Sequence, residues 1–247
     1  MDLSEVRDSK ARHPWETARA LAIERIVRQA KATPRAILDY GCGDGFTGER
    51  LLGALGAAEL VGFDIHLTDQ RCKARSNAQI SYVNDWSRIA TRSFELCLLC
   101  DVIEHVADDR ALLELVRGRL SKNGQALITV PAFQLLFSHH DRALKHFRRY
   151  SLRQLQSVIG AAGFELVDSG YLFGSLLAGR GLAKIAELIT HRKENDEFGI
   201  GGWLGSPGLT RAVEALLHLD NGLLLGLASR GIKLPGLSAW ALCKRTS

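Results

Sequence analysis

The sequence predicts an α/β fold in which a mostly parallel sheet carries helices on both faces. Short apolar runs typical of buried strands alternate with longer amphipathic runs of helical spacing, and this order indicates a parallel sheet. The residues that could do chemistry stand at predicted strand ends, where open α/β sheets bind their ligands. A chain of 247 residues that is 46% hydrophobic is long enough to bury such a core.

The first predicted elements are a helix and then a strand, a turn and a second helix. Apolar residues recur at helical spacing in HPWETARALAIERIVRQA, and Pro14 suits its first turn. The unit that follows consists of the strand RAILDY, the glycine-rich turn GCGDG and the helix FTGERLLGAL.

The strand pattern continues through the middle of the chain. The predicted strands are ELVGFDI, QISYV, FELCLLCDVI and QALITV, with the helix DDRALLELVRGRL before the last of them. Asn123 and Gly124 are typical of a turn into QALITV, and Pro131 ends that strand. The continuous apolarity of FELCLLCDVI indicates a central strand covered on both faces.

The last third of the chain contains two more predicted strands around an apolar insertion. HHDRALKHFRRY lies between a strand end and a helix that begins with the capping box of Ser151 and Gln154. The strands are FELVDSGYLF and LSAWALCKR, with the helical segments AGRGLAKIAELITHR and SPGLTRAVEALLHL between them. We therefore predict a single domain with a helical cap at 1–33, a core at 34–173, a helical insertion at 174–235 and a final strand at 236–247.

Charge and cysteine content restrict the function only weakly. The net charge of +5 is a mild excess that does not require an anionic partner. Five cysteines form no even framework and we see no leader segment, so we expect a reducing cytoplasm. Asp220 and Asn221 interrupt the most apolar segment, which can lie on a membrane but is too short to cross one.

The glycine turn indicates a nucleoside cofactor. Asp39 closes the first strand before the G-x-G-x-G turn, and Asp64 ends the second strand, where a carboxylate can accept both hydroxyls of a ribose. A dinucleotide site has G-x-G-x-x-G and binds a pyrophosphate, which an acidic residue would repel. Asp39 instead favours the ammonium and sulfonium groups of S-adenosylmethionine.

In these motifs the chain resembles the class I S-adenosylmethionine-dependent methyltransferases. The motifs ILDYGCGDG, VGFDI, FELCLLCDVIEHV and LSKNGQALITVP follow one another in the order of that family, and the resemblance covers about residues 35–172 and the final strand. It implies a Rossmann-like sheet of seven strands whose last strand, SAWALCKR, is antiparallel.

The resemblance also implies which residues bind the cofactor. Asp85 and Trp86 match the contacts to the adenine, and Cys100 and Asp101 lie beside its methionine part. Glu104 and His105 match an acidic residue and histidine pair that recurs in the family. The full predicted set is Asp39, Gly41, Cys42, Gly43, Gly45, Asp64, Ile65, Asp85, Trp86, Cys100 and Asp101.

Histidines are the candidate general bases, because methyl transfer needs mainly orientation and, for some acceptors, removal of a proton. The candidates are His105, His139 and His140. No metal site is expected, because no cysteine or second carboxylate stands near the histidines of HHDRALKH. Cys97 and Cys100 would point to opposite faces of a strand, so they form neither a chelate nor a disulfide.

HHDRALKHFRRY resembles a segment, H-D-x-x-x-x-H-x-R-R-Y, of some bacterial members of the family, and it is the predicted acceptor side. Paired guanidinium donors suit a carboxylate or phosphate, although a basic surface before a helix is an equal alternative. The predicted acceptor contacts are Asp141, His146, Arg148, Arg149 and Tyr150.

We therefore expect a methyltransferase that acts on a small-molecule or lipid-linked acceptor, with oxygen as the first choice of receiving atom. RNA methylation, a non-catalytic subunit that binds the cofactor and, with less support, a nicotinamide-dependent oxidoreductase are the alternatives. The insertion either packs on itself or across a homodimer, or forms a lid that touches the membrane surface. A monomer is equally compatible with the sequence.

Overall fold

The computed structural model describes residues 12–31, 33–180, 203 and 205–246. Seven strands form a single sheet in the order β3-β2-β1-β4-β5-β7-β6. The strands are β1 (Ala36–Tyr40), β2 (Glu59–Phe63), β3 (Ile80–Val83), β4 (Phe94–Cys100), β5 (Leu120–Pro131), β6 (Phe164–Leu172) and β7 (Ser238–Arg245). The helices are α1 (Pro14–Gln29), α2 (Phe46–Leu55), α3 (Asp69–Arg75), α4 (Asp109–Arg117), α5 (His139–Ala143), α6 (Leu152–Ala161) and α7 (Pro207–Ala228).

The predicted fold class and the direction of the last strand are confirmed. Strands β1 to β5 pair in parallel, and β7 is antiparallel to both β5 and β6. The carboxyl ends of β1, β2, β4 and β5 therefore meet at one edge of the sheet, where open α/β sheets form their ligand-binding crevices.

Helices cover both faces, as the continuous apolarity of β4 predicts. Cys97 belongs to the apolar layer that contains α4 and α6, whereas Cys100 belongs to the layer that contains α1, α2 and α7. The two thiols thus point to opposite faces, and all five cysteines are free and buried.

Several local elements differ from the sequence prediction, among them the short helix α5, which lies in a segment predicted only as a connection. The short helix α3 was not predicted; its start is capped by the Thr68 hydroxyl, which accepts a hydrogen bond from the Arg71 backbone N–H. Strand β5 begins at Leu120 rather than at Gln125, because Leu120 already pairs with Phe94. The expected turn at Asn123, with φ of 71°, is an irregularity inside the strand.

The described part of the insertion packs on the core. Helix α7 continues through the two polar residues that appeared to interrupt the apolar run, because the Asn221 side chain accepts a hydrogen bond from the Phe173 N–H at 2.9 Å and Asp220 accepts one from the Ser175 N–H at 3.0 Å. Residues 174–180 are helical, and the rest of AGRGLAKIAELITHR lies outside the described residues. No described helix has the length and apolarity needed to cross a membrane.

Candidate active site

The glycine turn after β1 has the backbone conformation that the sequence predicts. Gly41, Gly43 and Gly45 have φ of 73°, 54° and 75°, a region that other residues rarely adopt. The Asp64 carboxylate, at the end of β2, accepts hydrogen bonds from the N–H of Gly43 at 3.0 Å and of His66 at 2.9 Å. Hydrogen bonds thus join the glycine turn to the end of β2, and the group formed by Asp39, Gly41, Gly43, Gly45 and Asp64 is called here the cofactor corner.

A small cavity lies directly against this corner. Asp39, Gly41, Cys42 and Cys100 line it, so the ends of β1 and β4 meet there as the cofactor prediction requires. Its volume is about 20 Å³, enough for roughly one water molecule.

Two arginines of the N-terminal helical region narrow this cavity. Arg12 forms an ion pair with Asp44, and Arg19 forms one with Asp101, so both side chains cross from the α1 side to the strand ends. Neither arginine was predicted as a site residue, because nothing in the helical pattern of α1 indicates what its polar face meets. A nucleoside cofactor needs more room, so we expect these two side chains to move when it binds.

Asp39 is buried in the cavity wall with little compensation of its charge. Its carboxyl group is 3% exposed, and burial raises its pKa to about 7, although a backbone hydrogen bond from Gly48 and the positive charge of Arg19 oppose the rise. A buried carboxylate with this environment gains most from a cation placed beside it. The corner therefore fits the ammonium or sulfonium group of the predicted cofactor.

The predicted adenine contacts lie at the end of β3. Asp85 is exposed and caps a 3₁₀ turn by accepting hydrogen bonds from the Ser87 N–H at 2.9 Å and the Ser87 hydroxyl at 2.7 Å. Trp86 is half-buried and lies edge-on to Tyr40 and Phe63, each with ring centroids 5.3 Å away. Ile65, which follows the end of β2, is 69% exposed.

A second group of side chains lies beyond the end of β4 and is called here the acceptor cluster: Glu104, His105 and His146. One possible ligand atom from each lies within 4.8 Å of the other two, and the histidine rings meet edge to face with centroids 4.6 Å apart. The cluster forms because the Phe147 N–H donates a hydrogen bond of 2.8 Å to the Glu104 carbonyl oxygen. That bond places the segment after α5 against the end of β4.

The charge state of the acceptor cluster follows from its burial. Glu104 is 0% exposed, and neither carboxylate oxygen has a hydrogen-bond partner among the described residues. Burial, with the negative charge of Asp101, raises the pKa of Glu104 well above its usual range. Burial and the neighbouring His146 lower the pKa of His105 to about 4, so this imidazole is neutral at pH 7.

Asp141 fixes the orientation of His146 from behind. It is fully buried and accepts hydrogen bonds from the His146 Nδ1 at 2.9 Å, the Arg149 Nε at 2.8 Å and the Ser138 N–H at 2.9 Å. Burial alone would raise the pKa of Asp141, but the hydrogen bonds from His146 and Arg149 outweigh it and hold the pKa below its usual range. Because Nδ1 contacts Asp141, Nε2 is the ring nitrogen with which His146 can contact a ligand in the acceptor cluster.

Arg148 and Arg149 of the same segment form ion pairs within the chain. Arg148 contacts the Asp109 carboxylate at 2.8 Å and the Ala107 carbonyl at 2.8 Å, and the Tyr150 hydroxyl donates to Asp109 at 2.7 Å. With Arg149 held by Asp141, the guanidinium donors that the sequence offered to an acceptor or to RNA already have acidic partners. These contacts favour a structural role for the basic run.

The candidate bases are separated by the fold. His105 lies in the acceptor cluster, His139 is exposed on α5, and His140 is half-buried outside the cluster. His146, which the sequence suggested only as an acceptor contact, joins His105 instead. Its approach to Glu104 could not be found from sequence, because the two residues are distant in the chain and meet only through the folded segment after β5.

Comparison with known proteins shows the family to which the chain belongs. A family profile described as "Methyltransferase domain" matches residues 14–169. The ubiquinone biosynthesis O-methyltransferase of Azorhizobium caulinodans is 31% identical over 203 residues, which cover 73% of this chain and 75% of that protein.

Solved structures share the fold at low sequence identity. The N-methyltransferase NodS of Bradyrhizobium japonicum, in complex with S-adenosylhomocysteine, superposes with a TM-score of 0.56 at 13% identity, over 99% of this chain and 97% of NodS. A SAM-dependent methyltransferase of Archaeoglobus fulgidus gives a TM-score of 0.52 at 16% identity, over 92% and 94%. The chain belongs to the class I S-adenosylmethionine-dependent methyltransferases.

Proposed function

We propose that the protein transfers the methyl group of S-adenosylmethionine to a hydroxyl of a small-molecule acceptor, which binds at the acceptor cluster. The observation that carries the proposal is the composition of that cluster. The His105 ring is neutral, and it and His146 each offer one ring nitrogen beside the unpartnered carboxylate of Glu104. A hydroxyl donates a hydrogen bond to such groups. The raised pKa of Glu104 makes its carboxylate a stronger base than His105, whose pKa is lowered to about 4, so we assign removal of the proton to Glu104.

The cofactor is proposed to lie along the strand ends with its methyl group toward this cluster. The ammonium group then meets Asp39 and the glycine turn, the ribose meets Asp64, and the adenine lies by Ile65, Asp85 and Trp86. Cys100 and Asp101 then lie beside the sulfonium group.

The proposed cofactor site and the acceptor cluster both adjoin the end of β4, which supports placing the methyl group toward the cluster. Cys100 lines the cofactor cavity, and the charge of the next residue, Asp101, influences the pKa of both Glu104 and His105. The two sites are therefore neighbours along one strand end, and holding donor and acceptor in line is the main catalytic requirement of methyl transfer. The curated relative is named as an O-methyltransferase, which agrees with oxygen as the receiving atom.

A lipid-linked acceptor is a second candidate, supported by the surface of α7. Four leucines of this helix are more than half exposed: Leu209, Leu216, Leu219 and Leu223. An apolar stripe of this kind suits a lipid surface or the apolar part of an acceptor.

Methyl transfer to a panel of hydroxylated, aminated and thiolated compounds, followed by mass spectrometry, tests the proposal. We expect O-methylated products, with turnover greatly reduced in Glu104→Gln and unchanged in Glu165→Gln, an exposed residue on β6. Products methylated only on nitrogen or carbon would contradict the choice of oxygen. RNA methylation with a steep dependence on salt, or cofactor binding without any transfer to a cell extract, would favour the alternative functions.

A further inference from the structure

The Glu104 carboxylate requires an explanation beyond a single hydroxyl partner. Both of its oxygens are buried and have no hydrogen-bond partner among the described residues. Burial of a carboxylate without partners is costly. Proteins relieve the cost by protonation, hydrogen bonds, a counter-charge or a metal ion, and even a protonated carboxyl group needs hydrogen-bond partners when it is buried. A hydroxyl brings one proton, whereas the acceptor cluster offers three electron-pair donors.

Each histidine of the cluster is anchored by one ring nitrogen. His146 uses Nδ1 in its 2.9 Å contact with Asp141, and His105 is hydrogen-bonded to the backbone of Leu144. The second nitrogen of each ring is left for the cluster. This is the arrangement by which proteins hold imidazole ligands of a metal, with a carboxylate or backbone carbonyl behind each ring.

The geometry is close to that of a three-ligand metal site. One atom from each side chain lies within 4.8 Å of the other two. Ligand atoms about 2.0–2.2 Å from a zinc ion lie roughly 3.4 Å apart, so rotation of the side chains by a modest amount closes the site.

We infer that Glu104, His105 and His146 bind a divalent transition-metal ion, with Zn²⁺ as the representative ion. Two imidazole nitrogens and one carboxylate oxygen favour first-row transition metals over Mg²⁺ and Ca²⁺, which prefer oxygen ligands. Three protein ligands also leave a coordination position open, as in catalytic rather than structural sites.

The binding of the ion is independent of the proposed function, but its role in turnover rests on it. At the open position the acceptor hydroxyl would lose its proton to solvent, because a bound cation lowers the pKa of a coordinated oxygen. The resulting oxyanion would then form the new C–O bond as the C–S bond of the sulfonium breaks, which releases S-adenosylhomocysteine.

Titration of chelator-treated protein with Zn²⁺ in a calorimeter, together with elemental analysis after dialysis, tests the site. We expect one ion per chain, and affinity at least about 100-fold weaker in Glu104→Gln, His105→Asn and His146→Asn. His139→Asn, which alters an exposed histidine on nearby α5, serves as the matched control and should bind as the wild type does. Co²⁺ titration adds a visible absorption band that reports histidine coordination and should be lost in the same three variants.

Asp141→Asn provides a test of the supporting residue. If circular dichroism shows that the variant is folded, Zn²⁺ affinity should fall by about 10–100-fold, because the anchor of His146 is weakened. Glu104→Gln is nearly isosteric, so its fold can be checked in the same way and its result stands if Asp141→Asn does not fold.

The outcomes separate the two proposals. Absence of saturable binding, or binding that is equal in the wild type and the three ligand variants, would overturn the metal site. Hydroxyl methylation that persists in metal-free protein would overturn its role and leave the proposed function intact. One bound ion without methylation of any hydroxyl would leave the site intact and contradict the proposed function.

Discussion

The cofactor corner contains the buried carboxylate of Asp39, and the acceptor side contains that of Asp141. The surroundings of these two groups shift their pKa values in opposite directions. Asp141 has hydrogen bonds from His146, Arg149 and Ser138, and these lower its pKa. Asp39 has mainly the Gly48 backbone N–H and the charge of Arg19, which do not offset its burial, and its pKa rises to about 7.

This difference distinguishes a residue that holds the fold from one that is kept for a ligand. A carboxylate satisfied by its own chain stabilises the segment that carries His146. A carboxylate left without a cation lowers stability until a cationic ligand arrives. Glu104 is of the second kind, because neither of its oxygens has a hydrogen-bond partner among the described residues.

The largest effect is expected for Asp141→Ala. It leaves the buried Arg149 and His146 without their acceptor, and loss of one partner of a buried pair costs about 3–5 kcal/mol. Urea unfolding measures the free energy of unfolding. Glu165→Ala, which breaks the exposed contact with Lys244, should cost at most about 1 kcal/mol. Equal losses in both variants would remove the distinction between the two kinds of carboxylate.

For Asp39→Asn we expect a gain in stability that depends on pH. The pKa of Asp39 is about 7 in the folded chain, compared with about 3.9 in the unfolded chain. The unfolded chain therefore releases its proton first, and wild-type stability falls as the pH rises from about 4 to 7 and then levels off.

The asparagine variant lacks this decline, so above pH 7 it should be more stable than the wild type by roughly 3–4 kcal/mol. Its affinity for S-adenosylmethionine should decrease, because the negative charge is lost. Urea unfolding at pH 5 and pH 8, with calorimetry of the cofactor, measures both. A variant that is less stable at pH 8 would show that Asp39 is a structural residue like Asp141.

Glycines of α2 allow the cofactor corner to be tested by backbone strain. Gly45→Ala must adopt φ of 75° and place its Cβ against the Tyr82 hydroxyl, so it should lose about 2 kcal/mol or more as well as cofactor affinity. Gly56→Ala has the positive φ but open space, and should lose about 1 kcal/mol. Gly53→Ala, inside the helix with open space, should gain about 0.5–1 kcal/mol. Thermal unfolding measures the stability of the three variants. A Gly45→Ala variant more stable than Gly53→Ala would contradict these expectations.

The smallest effect is expected for Arg148→Ala. The contact with Asp109 is partly exposed, so its loss should cost no more than about 1 kcal/mol, and the KM for the acceptor should not change. Steady-state kinetics with an acceptor identified in the methyl-transfer panel measures this KM. A raised KM at unchanged stability would restore the sequence prediction that Arg148 binds the acceptor.

The cofactor corner was predictable because its determinants are local. Three glycines and Asp39 form one short motif, and the positive φ at Gly41, Gly43 and Gly45 is a property of the turn itself. The opposite facing of Cys97 and Cys100 follows from the period of a strand. Such features need no knowledge of distant contacts.

The acceptor side was predictable only in its position. The segment after β5 was correctly placed at the sheet edge, but the union of His146 with Glu104 depends on the Phe147 contact with the end of β4. In the same way Asn221, which looked like an interruption of an apolar run, is explained by its hydrogen bond to Phe173. Polar residues that act across the fold do not reveal their partners through periodicity.

The most direct test is a crystal structure of the protein with S-adenosylhomocysteine. We predict that its ammonium group contacts Asp39, its ribose hydroxyls contact Asp64, and its sulfur faces Glu104, His105 and His146, with Arg12 and Arg19 displaced from the cavity. A sulfur atom that faces away from the three side chains, or a ribose bound elsewhere than at Asp64, would contradict the account.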